Sequence, residues 1–161
     1  YMKMIEYKTA VLLAASLQLG GITGGASIQE QENLYEFGRN IGIAFQLKDD
    51  LLDAFGNPDT FGKQVGGDIM SNKKTYLYLK ALEAASDKQK NELEKYFSIS
   101  DASTEKVNAV KKIFIDLKIQ SFIIDLMKEY QMRAMMHLDA IRSSNKEPLI
   151  AFSEKLMDRI S

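Results

Sequence analysis

Cysteine is absent from the chain, so neither a disulfide framework nor a thiolate metal site can exist, and a reducing, cytoplasmic location fits that composition. Histidine occurs once, at His137, which excludes a histidine-based metal cluster. Within the amphipathic run MRAMMHLDAI it reads as a partly buried structural residue. Runs of Lys and Arg are missing, and with a formal charge of -1 no surface for nucleic acid is expected. No alternating strand pattern, repeat or low-complexity tract occurs. The segment YKTAVLLAASLQLGGITGGAS imitates a secretory leader, but Glu6 stands in its would-be basic part and Gln18 interrupts its apolar end. Its apolar run is also too short to span a bilayer. A buried helix ended by Gly20 and Gly21 is expected there, with no stable membrane insertion.

What is present is ordinary globular material: 161 residues, 45% hydrophobic and 27% charged. That is enough for one sizeable core and a single domain. Ser27 and Glu30 spell a capping box, and Leu34, Phe37, Ile41, Phe45, Leu52 and Phe55 follow at three- and four-residue steps, which predicts a helix to about Phe55. Its second half is apolar nearly all round, the mark of a helix surrounded by others. Residues 56–73 carry Gly56, Pro58, Gly62, Gly66 and Gly67 and read as one long functional loop. TYLYLKALEAA then forms a short helix, and Ser86 with Gln89 opens another through Phe97. Helices over 104–115 and 119–143 follow, and Pro148 starts a last one to about Ile160. The fold class is all-α, a helical bundle.

FQLKDDLLD, Phe45 to Asp53, sets three aspartates among large apolar residues. A buried carboxylate needs a partner or a cation. Asp49 and Asp53 are four residues apart and share a helix face, with Asp50 about 100° round from Asp49. Both same-face carboxylates can look into one cavity, where a divalent cation resolves their repulsion. Oxygen-only ligands point to Mg2+, which takes one or two carboxylates and completes its shell with water and phosphate. The following loop supplies Lys63, Lys73 and Lys74 around Asp68, fit to meet phosphate and metal together. A P-loop is excluded by the spacing from Gly56 to Lys63, an EF-hand by Pro58, and a dinucleotide fingerprint at GGITGG by the lack of a strand before it. Each charge could also be an ordinary solvated side chain; their conjunction favours a site.

FQLKDDLLD followed by GKQVGGDIMSNKKTYL resembles the second aspartate-rich motif and loop of the trans-polyprenyl diphosphate synthases, which include farnesyl and geranylgeranyl diphosphate synthases. YKTAVLLAASLQLGG resembles an upstream helix of that family, with Lys8 and Thr9 as its Lys-Thr pair. The resemblance covers the whole chain but only the second half of a family member. It implies that residues 1–161 are the C-terminal part of a single synthase domain of the isoprenoid synthase type, inactive alone because the first aspartate-rich motif lies outside it. It further implies Mg2+ as cofactor and condensation of an allylic diphosphate with isopentenyl diphosphate to a longer all-trans prenyl diphosphate, in a homodimer. Asp49 would be the main metal ligand, with Asp50, Asp53 and Asp68 as ligands or reached through water. Lys8, Lys63 and Lys73 would hold diphosphate, and Thr9, through its backbone, and Gln46, through its side-chain carbonyl, would face the allylic cation. A catalytically silent subunit of a heteromeric synthase, a helical interaction domain and a terpene cyclase are the alternatives. Intact motif spacing speaks against the first, and the GKQVGGDIMSNK loop against the last.

Overall fold

The computed structural model describes residues 1–57, 65–100 and 102–157. Among these the secondary structure is entirely helical, as expected. The chain divides into two compact units: Tyr1–Leu47 with the described chain from Asp125 onward, and Lys48–Ile124. Two long helices pass from one unit into the other.

The first unit opens with α1 (Met2–Ile5), a π-helical turn (Glu6–Ala10) and α2 (Val11–Thr23). It continues through most of α3 (Ile28–Phe55) and ends with the later part of α8 (Ile119–Asp139) and α9 (Glu147–Met157). The capping box of α3 forms as read: Ser27 N–H donates to Glu30 Oε2 at 3.0 Å and Glu30 N–H to Ser27 Oγ at 3.4 Å. Phe37 and Ile41 of α3 meet Ala134 and Leu138 of α8 and Ile141 in a buried cluster, so the three- and four-residue apolar step does become the core face. Gly42 brings α3 against the π turn. A Cβ there would stand 2.6 Å from Ala10 Cα, so only hydrogen allows this approach.

Two helix ends differ from expectation. Gly20 and Gly21 lie inside α2, which runs to Thr23, and the left-handed residue is Gly25 at φ 77°. Gly21 serves packing instead, since a Cβ there would lie 2.5 Å from Leu34 Cδ1. Glycine marks both a stop and a close approach, and the two share one letter. Helix α8 likewise ends at Asp139 rather than 143, and His137 near its end is half-buried with Nδ1 3.1 Å from Asn33 Oδ1, a structural setting.

The second unit holds the end of α3, then α4 (Gly67–Met70), α5 (Tyr76–Ala84), α6 (Asp87–Ser98) and α7 (Thr104–Asp116), and the start of α8. The expected capping box opens α6, with Ser86 and Gln89 bonded in both directions. Ser103 caps α7 by accepting from Lys106 N–H at 3.2 Å. Tyr78 of α5 stacks on Phe97 of α6 with ring centroids 4.0 Å apart, and Phe55 lies 6.5 Å from Phe114 of α7. Part of the long loop is not irregular: α4 is a helical turn within it. Pro58, Gly62 and Lys63 lie outside the described residues.

Candidate functional site

In the second unit three of the four expected carboxylates and one expected lysine come together. Asp50 is 2% exposed on α3. Lys73, just beyond α4, donates from Nζ to Asp68 Oδ2 at 2.7 Å and to Asp50 Oδ1 at 3.3 Å. Asp53, one turn after Asp49 and Asp50, accepts the Asp68 N–H at Oδ2 over 2.9 Å, while its own carbonyl accepts the Gly66 N–H at 2.6 Å. The end of α3 is thereby stitched to the turn that carries Asp68. Lys73 N–H closes that turn on the Asp68 carbonyl at 2.9 Å.

The charges respond to this crowding. Burial pushes the Asp53 carboxyl above its ordinary range; the Asp68 N–H opposes the rise, and the Asp68 charge adds to it. Burial alone would depress the Lys73 ammonium, but the Asp68 hydrogen bond and the charges of Asp50 and Asp68 together hold it above its usual value. Lys73 stays charged at any working pH.

Asp49 takes part in none of these bonds; it is half-buried on α3, and Asp50 rather than Asp49 accepts from Lys73. Among the described residues no three carboxylates are placed to hold a metal as a set. The donors still suit Mg2+, which asks for hard oxygen and only one or two protein carboxylates. The raised Asp53 carboxyl is the group a cation would relieve.

The first unit holds the other expected residues. In the π turn the Val11 N–H bonds to the Glu6 carbonyl, five residues back, and the extra residue rotates Thr9 relative to a plain α-helix. Thr9 Oγ1 donates to Gln46 Oε1 at 3.1 Å. The Thr9 hydroxyl, rather than the backbone the sequence reading singled out, is thus the group that bonds the Gln46 side-chain carbonyl. Lys8 is exposed. Arg39 fastens the start of the turn, donating from Nε to Glu6 Oε1 at 2.6 Å and from Nη1 to Glu36 Oε2 at 2.8 Å. The Glu6 bond, working against burial, raises the Arg39 pKa above its usual value. The pairing of Arg39 with Glu6 went unflagged in the sequence, because the two residues are 33 apart and meet only once the π turn packs onto α3. The i, i+3 pair with Glu36 was the one local hint.

Helical bundles that present aspartates and lysines in this order form a recognisable class, and comparison with known proteins identifies it. A family model described as polyprenyl synthetase matches residues 1–115, and the chain belongs to that family. It is 46% identical over 109 residues to a short chain isoprenyl diphosphate synthase of Methanothermobacter thermautotrophicus, a match covering 68% of this chain and 33% of that protein. It is 36% identical over 146 residues to a geranylgeranyl diphosphate synthase of Saccharolobus solfataricus, covering 91% and 44%. A crystal structure of geranylgeranyl pyrophosphate synthase superimposes with a TM-score of 0.88 at 42% identity, over 100% of this chain and 51% of the other. The chain spans about half or less of the length of these relatives. Its fold is that of the isoprenoid synthases.

Proposed function

We propose that the chain is the C-terminal part of a single trans-polyprenyl diphosphate synthase domain, which lengthens an allylic diphosphate by condensation with isopentenyl diphosphate. The observation that carries this reading is the bridge from Lys73 to Asp50 and Asp68, with Asp53 bonded to the same turn. It places a permanent positive charge beside carboxylates that a metal could share, which is what a departing diphosphate requires. Family membership supports it.

Mg2+, when bound, supplies positive charge to the diphosphate oxygens as negative charge develops there. Asp49, free of the Lys73 bridge, is the carboxylate proposed as its main ligand, with Asp50, Asp53 and Asp68 holding it directly or through water. Lys73, held in place by two carboxylates, would donate to diphosphate oxygens, and Lys63 and Lys8 are proposed from the family resemblance as further diphosphate-binding residues. In the first unit the Gln46 carbonyl is a dipole without nucleophilic reactivity, suited to face an allylic cation, and Thr9 orients it through the bond at 3.1 Å. With one histidine, bonded to Asn33, and no cysteine, the chain offers no evident base. The released diphosphate then takes the proton.

A homodimer is proposed from the family resemblance. Cytoplasmic residence is proposed from the lack of cysteine, and no described helix is long and apolar enough to cross a membrane. The test is a thermal-shift titration of the chain with inorganic pyrophosphate, Mg2+, and both together. Stabilisation only by the combination is expected. A melting temperature indifferent to all three would sink the reading and leave a helical interaction domain or a silent subunit.

A further inference from the structure

The turn that carries Asp68 is bracketed by two left-handed residues, Gly66 at φ 88° and Asn72 at φ 57°. Both are held by consecutive residues of α7. A Cβ on Gly66 would meet Val107 Cγ1 at 2.6 Å, so that end is seated directly on the valine. At the other end Lys106, only 1% exposed, donates from Nζ to Asn72 Oδ1 at 2.5 Å and to the Ile99 carbonyl at 3.3 Å. Asn72 Nδ2 donates to that same carbonyl at 3.0 Å, closing a three-cornered network. The Lys106 ammonium also lies 5.9 Å from the Phe97 ring centroid.

A lysine buried among neutral acceptors is an expensive way to fill a core, because its ammonium must be stripped of water and an apolar residue of similar volume would fill the space without that cost. What the ammonium achieves here is local. It fixes the side chain of a non-glycine residue whose left-handed backbone L side chains rarely adopt. The next residue is Lys73, whose Nζ spans Asp50 and Asp68.

We propose that Lys106 is a positioning residue: by holding Asn72 it sets the backbone from which Lys73 reaches the two aspartates, and it touches no substrate itself. This rests on the reading of Lys73 as a diphosphate-binding residue.

Two variants separate the link from the fold. Lys106→Met keeps the stem and removes the ammonium; Asn72→Gly keeps the left-handed backbone and removes the acceptor. In calorimetric titrations of the chain with Mg2+ and inorganic pyrophosphate, each should weaken binding about 10-fold. In a Lys73→Met background neither should weaken it further, because the effect passes through Lys73. A Lys106→Met chain that binds like the wild type, or losses that multiply with Lys73→Met, would overturn the proposal. A wild-type chain that binds no pyrophosphate would defeat the functional reading instead, and amide hydrogen exchange then decides the positioning claim. Lys106→Met should speed exchange from Asp68 to Lys73 while leaving α9 unchanged, and unchanged exchange in the turn overturns it. Should Lys106→Met fail to fold, Asn72→Gly carries both measurements.

Discussion

The same substitution made at two glycines of this chain should have opposite signs. Gly20 lies inside α2 with nothing within 4 Å of the position a Cβ would take, whereas a Cβ on Gly42 of α3 would sit 2.6 Å from Ala10 Cα and 2.8 Å from Ala10 Cβ. Helix propensity alone favours alanine at either site by about 1 kcal/mol. At Gly20 that gain stands unopposed. At Gly42 overpacking costs about 1 to 3 kcal/mol, and because the obstacle is main chain rather than a flexible side-chain end the upper part of that range, about 2 to 3 kcal/mol, applies, so a net loss of about 1 to 2 kcal/mol is expected. For a chain of this size that lowers the melting temperature by about 2 to 8 °C, while Gly20→Ala should raise it by about 2 to 4 °C. Thermal melts of the two variants measure both. Adding Ala10→Gly to Gly42→Ala should recover only part of the loss, because it removes the Cβ at 2.8 Å and leaves the Cα at 2.6 Å. A Gly42→Ala chain at least as stable as the wild type would refute the close-approach argument. The contact also sets where the π turn lies, so Gly42→Ala should stretch the Thr9–Gln46 bond, visible in a crystal structure of the variant.

Other expectations concern the charges and the chemistry. Because burial raises the Asp53 carboxyl, the folded chain holds that proton more tightly than the unfolded one; the resulting stability is present below the ordinary carboxyl range and lost as pH rises through the raised value. Asp53→Asn should therefore melt higher than the metal-free wild type at neutral pH and converge with it in acid, and melts that differ by the same amount at both pH values would contradict this. In a complete synthase carrying this chain, Asp49→Ala should cut turnover by about three orders of magnitude with little loss of folding, since a metal at the leaving group contributes several kcal/mol. Near-normal turnover at saturating Mg2+ would remove Asp49 from the ligand set. Gln46→Leu in the same protein should lower kcat at similar KM if, as proposed, its dipole acts on the developing cation. A sharply raised KM with unchanged kcat would make Gln46 a binding residue instead.

Much of this protein is decided within a few residues along the chain. The boxes at Ser27–Glu30 and Ser86–Gln89 form because donor and acceptor lie three residues apart. The all-helical class follows from the apolar step that places Phe37 and Ile41 on one face. The order of aspartates, lysines and glycines from Phe45 to Lys73 was enough to point to a family. Tertiary structure decided what each letter does. Gly20 and Gly21 read as a stop, yet α2 runs through both: Gly21 admits Leu34 at close approach, while Gly20 has open space around it and ends nothing. Asp50 rather than Asp49 meets Lys73, since the partner comes from a turn 23 residues away whose approach to α3 is set by α4 and α7. Arg39 with Glu6, and Lys106 with Asn72, are pairs of ordinary surface-type residues separated by 33 and 34 positions. No local pattern distinguishes them from solvated charges, because the energy that selects them exists only once two helices have met.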